Sequence, residues 1–518
     1  MQREACKIIA QPQSLRFPSG WNLDHSLGLM AFSSLDLAIV IVYLITITLF
    51  GAHFRKSQHT LRDYFLGGRR LPWWAIALSV VSAETSILTI ISTPGIAYRS
   101  NMAFLQLVFG YLIARVIVSF IFIPRYFAGE LFTAYQLIEK RFGGGLKTFT
   151  AGLFLGSRAL AEGVRVFAIS IVLEVIFRTG ILVSVLIIVL LTVFYTLEGG
   201  LTAVIWTDVI QLAIYISGTA LALMLALHAI PGGWGEVVRI AHAEGNKLKV
   251  FDFAFNWHAP YLFWSGLVGG VFLTTASHGT DQLIVQRLLA ARSKRESQTA
   301  LLSSGLVILF QFSLFLLVGV VLYAFYLLHP PARNFGRPDR IFPTFVVTEL
   351  PHGLAGLLIA AIISAGMANL SAALNALASS SVVDFYKPLV RPKADDRHYL
   401  RVSRALTILW GAILIGIALL AQRMHQSVLE LALTIASVPY GSMLGIFLLG
   451  VLTRRATSRG ALIGGILGLA CLTSVIIAAA FGAISIAWTW YVAIGTCVTF
   501  VTGWAASVIL KDESQHGS

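Results

Sequence analysis

Charged and hydroxylic side chains interrupt the apolar runs of this chain at a few places, and chemistry can be done there. Residues 79 to 95 hold Ser79, Ser82, Glu84, Thr85, Ser86 and Thr89, followed by Thr93-Pro94-Gly95. Hydroxyls and a carboxylate at mid-depth, with Pro-Gly beyond, point to a helix that unwinds near its centre and exposes carbonyls able to bind cations. Back-bonding to the i−4 carbonyl accounts for the hydroxyls equally well, but not for Glu84. Residues 269 to 282 repeat the pattern with Gly269-Gly270, Thr274, Thr275, Ser277, His278, Thr280, Asp281 and Gln282. His278 is a candidate solute donor or proton carrier, with a satisfied structural histidine as the plain alternative. Asp281 and Arg287 read as pairing or snorkelling side chains.

Three further places carry ionisable or small residues. Arg158, Glu162 and Arg165 fall at i, i+4 and i+7 and share one helical face. An internal ion-pair ladder is the plain reading. Glu162 neutralises one arginine, so the spare guanidinium is suited to meet Glu84 or a substrate carboxylate. Asp208 stands uncompensated in an apolar run and needs a cation, a donor or a proton. Ala365, Ala368, Asn369 and Ala372 lie on one side of another run by 3.6 periodicity, where small residues allow close helix approach.

Such isolated groups belong in a membrane protein, and composition agrees. Of 518 residues, 57% are apolar and 12% charged, and the mean hydropathy is +0.81. Soluble domains carry about 25% charged residues, so a soluble enzyme is excluded, as are disorder and fibrous repeats. Cys6, Cys471 and Cys497 are too widely spaced for a disulfide framework or a zinc site. The net charge of +14 first reports membrane topology rather than a nucleic-acid partner.

Elements must position these residues across a bilayer that needs about 20 apolar residues per helix. Thirteen apolar spans can be cut: 34 to 53, 73 to 98, 103 to 124, 148 to 177, 181 to 197, 201 to 227, 261 to 286, 299 to 328, 353 to 383, 405 to 422, 428 to 452, 460 to 481 and 487 to 510. The fold class is therefore all-α and polytopic. Lys and Arg favour the connections that include Arg55 to Arg70 and Lys387 to Arg404 by about two to one, which puts the N-terminus outside and the C-terminus in the cytoplasm. The connections are too short for a separate soluble domain. The two interrupted spans lie five helices apart, the signature of paired broken helices between inverted five-helix halves.

The run Gly199-Gly200-Leu-Thr-Ala-Val-Ile-Trp206-Thr207-Asp208-Val-Ile-Gln211 resembles the signature of the sodium/solute symporters. Trp73-Trp74 to Thr85, Thr133-Ala-Tyr135 to Arg141-Phe-Gly143, Thr280-Asp281-Gln282 to Gln286-Arg287 and Leu374-Asn375 to Asp384-Phe-Tyr386 recur in the family's order. The resemblance implies a LeuT-type fold with alternating access around a midplane site. It divides the chain into an extracytoplasmic segment 1–33, a leading helix 34–53, a first repeat 73–227, a second repeat 261–452, two trailing helices 460–510 and a cytoplasmic tail 511–518. It also implies a principal sodium site of carbonyls at Ser82, Thr85 and Ala365 and side chains at Ala368 and Asn369. Here the family's two hydroxyls are replaced by a methyl and an amide, and Asn369 still offers an acceptor oxygen. A second sodium site would use Asp208 with Ser371, while Ala368 and Ala372 supply no hydroxyl. The implied solute cavity takes Glu84, Thr89, Thr274, Ser277, His278 and Gln311, with Arg165 as a further candidate.

The function expected from this resemblance is sodium-coupled uptake of a small polar solute such as a sugar, polyol or carboxylate. Hexose-binding residues of the sugar carriers are not reproduced. Proton coupling through Glu84, Asp208 or His278 is the alternative, as is an uncoupled uniporter or transceptor. Sodium is the coupling ion and no other cofactor is expected. No nucleophile-and-base or metal spacing such as His-Glu-x-x-His supports an enzyme. The expected setting is a plasma or inner membrane, with lipid as a partner, no nucleic acid, and a monomer or loose oligomer.

Overall fold

The computed structural model describes residues 32–53, 67–128, 134–195, 201–331, 334–387, 390–394, 396–424 and 427–510. Most of the expected N-terminal segment and the whole C-terminal tail lie outside them, as do Gly199, Gly200 and Thr133 of the signature runs. No strand occurs among the described residues.

Helices follow one another throughout: α1 (Ser34–His53), α2 (Trp73–Glu84), α3 (Ile87–Arg99), α4 (Leu105–Tyr126), α5 (Tyr135–Phe142), α6 (Gly144–Phe177), α7 (Ile181–Tyr195), α8 (Leu201–Ala229) and α9 (Gly233–Ala243). Beyond a coil come α10 (Phe263–Gly279), α11 (Gln282–Leu289), α12 (Lys294–Leu328), α13 (Ile341–Glu349), α14 (Leu354–Ser380), α15 (Asp396–Ala421), α16 (Val428–Leu452), α17 (Ser458–Ala480) and α18 (Tyr491–Ile509). Among the described residues, eight single helices are long and apolar enough to cross a bilayer, and two bent pairs raise this to ten. The expectation of thirteen differs because α1 has a shorter apolar stretch, α10 and α11 are each too short alone, and α6 and α7 count as one pair. Exposed Leu306, Ile408, Leu190 and Phe120 show the apolar face that such a bundle turns to lipid.

Two helices break where hydroxyls and ionisable residues interrupt the sequence. Between α2 and α3 the chain bends by 64°, with Thr85 at φ −82°, ψ 84° and Ser86 at φ −81°, ψ 171°. The Ser86 N–H donates to Glu84 O at 3.1 Å, so Ser82 O loses its i+4 donor. Between α10 and α11, Asp281 leaves the helical region at ψ 126° and its carboxylate accepts from Leu283 N–H at 2.9 Å, capping α11. Pro94-Gly95, which follows the hydroxyl cluster in the sequence, lies beyond the break, inside α3.

Glycines let the broken helices press against their neighbours. A Cβ on Gly270 would sit 2.1 Å from Leu107 O, and one on Gly110 2.4 Å from Leu267 O, so α10 and α4 touch backbone to backbone. At Gly95 a Cβ would lie 2.4 Å from Pro338 O. The connection from α12 to α14 is thus wedged against α3. Buried Asp339 fastens it, accepting from Ser92 Oγ at 2.6 Å and from Val428 N–H at 3.1 Å, while Arg340 pairs with Glu174 of α6 at 2.6 Å.

Candidate functional site

Glu84 ends α2, one residue before the break, and its carboxylate meets Arg115 of α4 in a short ion pair. Arg115 is 1% exposed and also donates to Ser304 Oγ of α12 at 3.1 Å and to Tyr111 O at 3.2 Å. The Nε2 of His278, on α10, lies 3.5 Å from the same carboxylate without a hydrogen-bond partner, while Nδ1 pairs with Ser277 Oγ at 2.9 Å. Three helices therefore meet at the Glu84 carboxylate, and α12 joins them through Arg115. The sequence offered Glu84 the spare guanidinium of Arg158 and Arg165; the structure gives it Arg115. Arg115 lies inside the apolar run 103 to 124, but no spacing ties it to Glu84.

Arg165 instead pairs with Glu162 one turn back on α6, and Arg158 Nη2 stands 3.0 Å from the same oxygen, Glu162 Oε1. Glu162 is fully buried. Its Oε2, the Arg158 Nε and Nη2 and the Arg165 Nε all lack a hydrogen-bond partner. Two guanidiniums share one carboxylate, so both the plain ladder and the surplus charge are present.

At the break itself, Gln311 of α12 donates Nε2 to Thr85 Oγ1 at 2.6 Å, leaving its own Oε1 buried and unpartnered. Ser82 of α2, Thr85 at the break, Thr89 of α3 and Thr274 of α10 are buried. The helix α14 reaches the break near Gly366, where a Cβ would lie 3.8 Å from Ile87 Cδ1. Ala365 precedes that contact and is buried, Asn369 and Ser371 are half-buried, and Ala368 is exposed.

Asp208 of α8 is compensated after all. Its Oδ2 accepts from Ser79 Oγ at 2.5 Å and from Arg287 Nη2 at 3.0 Å, and Arg287 Nε donates to Ser79 Oγ at 2.9 Å. This lock ties α2, α8 and α11 together. Arg287 and Asp281 were read as pairing or snorkelling groups, and each pairs with a residue of another helix. Asp281 accepts from Tyr440 OH of α16 at 2.9 Å. Two cavities, of about 420 and about 350 Å³, lie away from all these residues, around Arg125, Arg141 and Gly450 at the far ends of α4, α5 and α16.

Two broken helices converging with buried, partly unsatisfied polar groups make a carrier-like centre, and comparison with known proteins decides the family. The model of the sodium:solute symporter family matches residues 64–468. The chain belongs to that family. The human sodium-coupled monocarboxylate transporter 1 is 30% identical over 457 residues, covering 86% of this chain and 74% of the relative. The sodium/sialic acid symporter NanT of Aliivibrio fischeri is 26% identical over 488 residues, covering 93% and 94%. A sodium-coupled sialic acid symporter solved in a substrate-bound outward-open state superposes with a TM-score of 0.79 at 26% identity, covering 92% of this chain and 98% of that one. This symporter is thus an all-helical, multi-pass membrane transporter of LeuT-type fold that couples solute movement to sodium, and not an enzyme.

Proposed function

We propose that this symporter carries a small organic anion bearing a carboxylate. The observation that carries the reading is the Arg158–Glu162–Arg165 cluster: one buried carboxylate faces two guanidiniums, Arg158 Nε and Arg165 Nε are unpartnered, and Arg158 Nη2 meets the carboxylate only as an ion pair without closing a hydrogen bond. Buried donors left unsatisfied in a membrane interior are costly. A solute carboxylate would relieve them with the fork geometry that arginine favours. The relatives named for monocarboxylates and sialic acid support the class, since both solutes are carboxylates. Sugars and polyols without a carboxylate rank behind it.

Arg165 would take the carboxylate, while Thr89, Thr274, Ser277, His278 and Gln311 line the remainder of the solute path. Glu84 would face that path while Arg115 holds its charge. The sodium set proposed for the break comprises the carbonyls of Ser82, Thr85 and Ala365 with Asn369 and position Ala368. Asp208 and Ser371 form a second set that sodium would share with Arg287. Glu84 and Asp208 each have a cation partner, which favours sodium over proton coupling through either. We further assign the thirteen spans to one leading helix, repeats at 73–227 and 261–452 and trailing helices at 460–510. The N-terminus is outside and the C-terminus cytoplasmic in a plasma or inner membrane, and the working unit is a monomer or loose oligomer. The test is uptake by proteoliposomes of monocarboxylates, sugar acids, neutral sugars and polyols under an inward sodium gradient. Saturable uptake of a carboxylate that Arg165→Gln abolishes is expected; transport of neutral sugars alone would refute the reading.

A further inference from the structure

With Ala368 and Asn369 at the positions where the family resemblance implies hydroxyls, the proposed sodium set is short of a side-chain oxygen. We propose that the hydroxyl of Tyr215, on α8, supplies it. This rests on the sodium reading of the break. Tyr215 is fully buried, and its hydroxyl lies within reach of the Thr85 and Ser82 side chains but closes no well-formed hydrogen bond. A buried phenol normally finds a partner, because leaving it unsatisfied is unfavourable. The Thr85 hydroxyl already accepts from Gln311, whose Oε1 is the other orphaned atom there.

Packing fixes the phenol at the junction of the helices that would hold the ion. One turn before it, Gln211 Nε2 donates to Ser364 Oγ of α14 at 2.9 Å, next to Ala365. Three residues after it, a Cβ on Gly218 would be 2.9 Å from Leu358 Cδ1, also of α14. The Tyr215 ring lies 6.5 Å from that of Phe315, one turn beyond Gln311 on α12. The hydroxyl therefore stands where the end of α2 meets α8, α12 and α14. A hard cation takes neutral oxygen ligands such as carbonyls and hydroxyls, and the phenol can lend a lone pair while keeping its proton.

The experiment compares wild type, Tyr215→Phe, Ala368→Ser and the double variant. Sodium binding is read without solute, by sodium-dependent thermal stabilisation of the purified protein, and again as the half-saturating sodium for uptake. Tyr215→Phe is expected to raise half-saturating sodium about tenfold and to leave the solute KM at saturating sodium unchanged. Ala368→Ser is expected to tighten sodium binding alone and to restore most of the loss in the double variant. A wild-type sodium response that Tyr215→Phe leaves intact, or a rise in solute KM alone, overturns the inference. If Tyr215→Phe does not fold, failure of Ala368→Ser to tighten binding overturns it. A wild type with no sodium response overturns the sodium reading and this inference together.

Discussion

Replacing Glu84 by Gln leaves the Arg115 guanidinium, 1% exposed, without its counter-ion in the interior of the bundle. Breaking a buried pair from one side costs about 3–5 kcal/mol, or roughly two to three and a half decades in the folded population. Arg115→Gln strands the carboxylate in the same way, though less severely, because Glu84 is 15% exposed and keeps His278 nearby. The double variant Glu84→Gln/Arg115→Gln removes both charges and leaves two amides able to bond to each other. Its loss should fall short of the sum of the single losses by at least about 2 kcal/mol. The assay is equilibrium unfolding of the purified protein in mixed micelles, run on all four members of the cycle. Additive losses within about 0.5 kcal/mol would refute the claim that Glu84 is held by Arg115.

Other outcomes follow from the same geometry. Asn369→Ala should raise half-saturating sodium for uptake about tenfold with little change in thermal stability, since one acceptor oxygen is lost at a half-buried position. Gly270→Ala should destabilise by about 1–3 kcal/mol because its Cβ meets Leu107 O, whereas Gly156→Ala, with open space around it, should be neutral or stabilising in thermal melts. Burial pushes the Asp339 carboxyl above its ordinary value, so the folded chain keeps that proton to higher pH than the unfolded chain does. The resulting stability is full below about pH 4 and is lost as pH rises through the raised value. Thermal stability should fall across that window in wild type and less in Asp339→Asn; equal falls would remove Asp339 from the account.

Much of this was legible because lipid makes polar residues expensive. The hydroxyl and carboxylate clusters at 79 to 89 and 274 to 282 announced both broken helices, and the run from Gly199 to Gln211 announced the family. Partners across the bundle were not legible. Arg115 reaches Glu84 from another helix, and Arg287 reaches Asp208 across 79 residues, so no helical periodicity relates them. Pro94 lies beyond the opening, as its place after the hydroxyl cluster implied. It stands at the eighth position of α3, while the chain turns out of the helical region at Thr85 and Ser86. Proline is tolerated inside a helix packed by its neighbours, and a 2.1 Å approach of a Gly319 Cβ to Pro94 O shows how closely α12 is packed there.

Coupling itself is measured most directly by accumulation in sealed proteoliposomes. With a tenfold inward sodium gradient, the carried solute should rise well above its outside concentration and drain when a sodium ionophore collapses the gradient. A solute that only equilibrates, at the same final level with or without that gradient, would contradict the account.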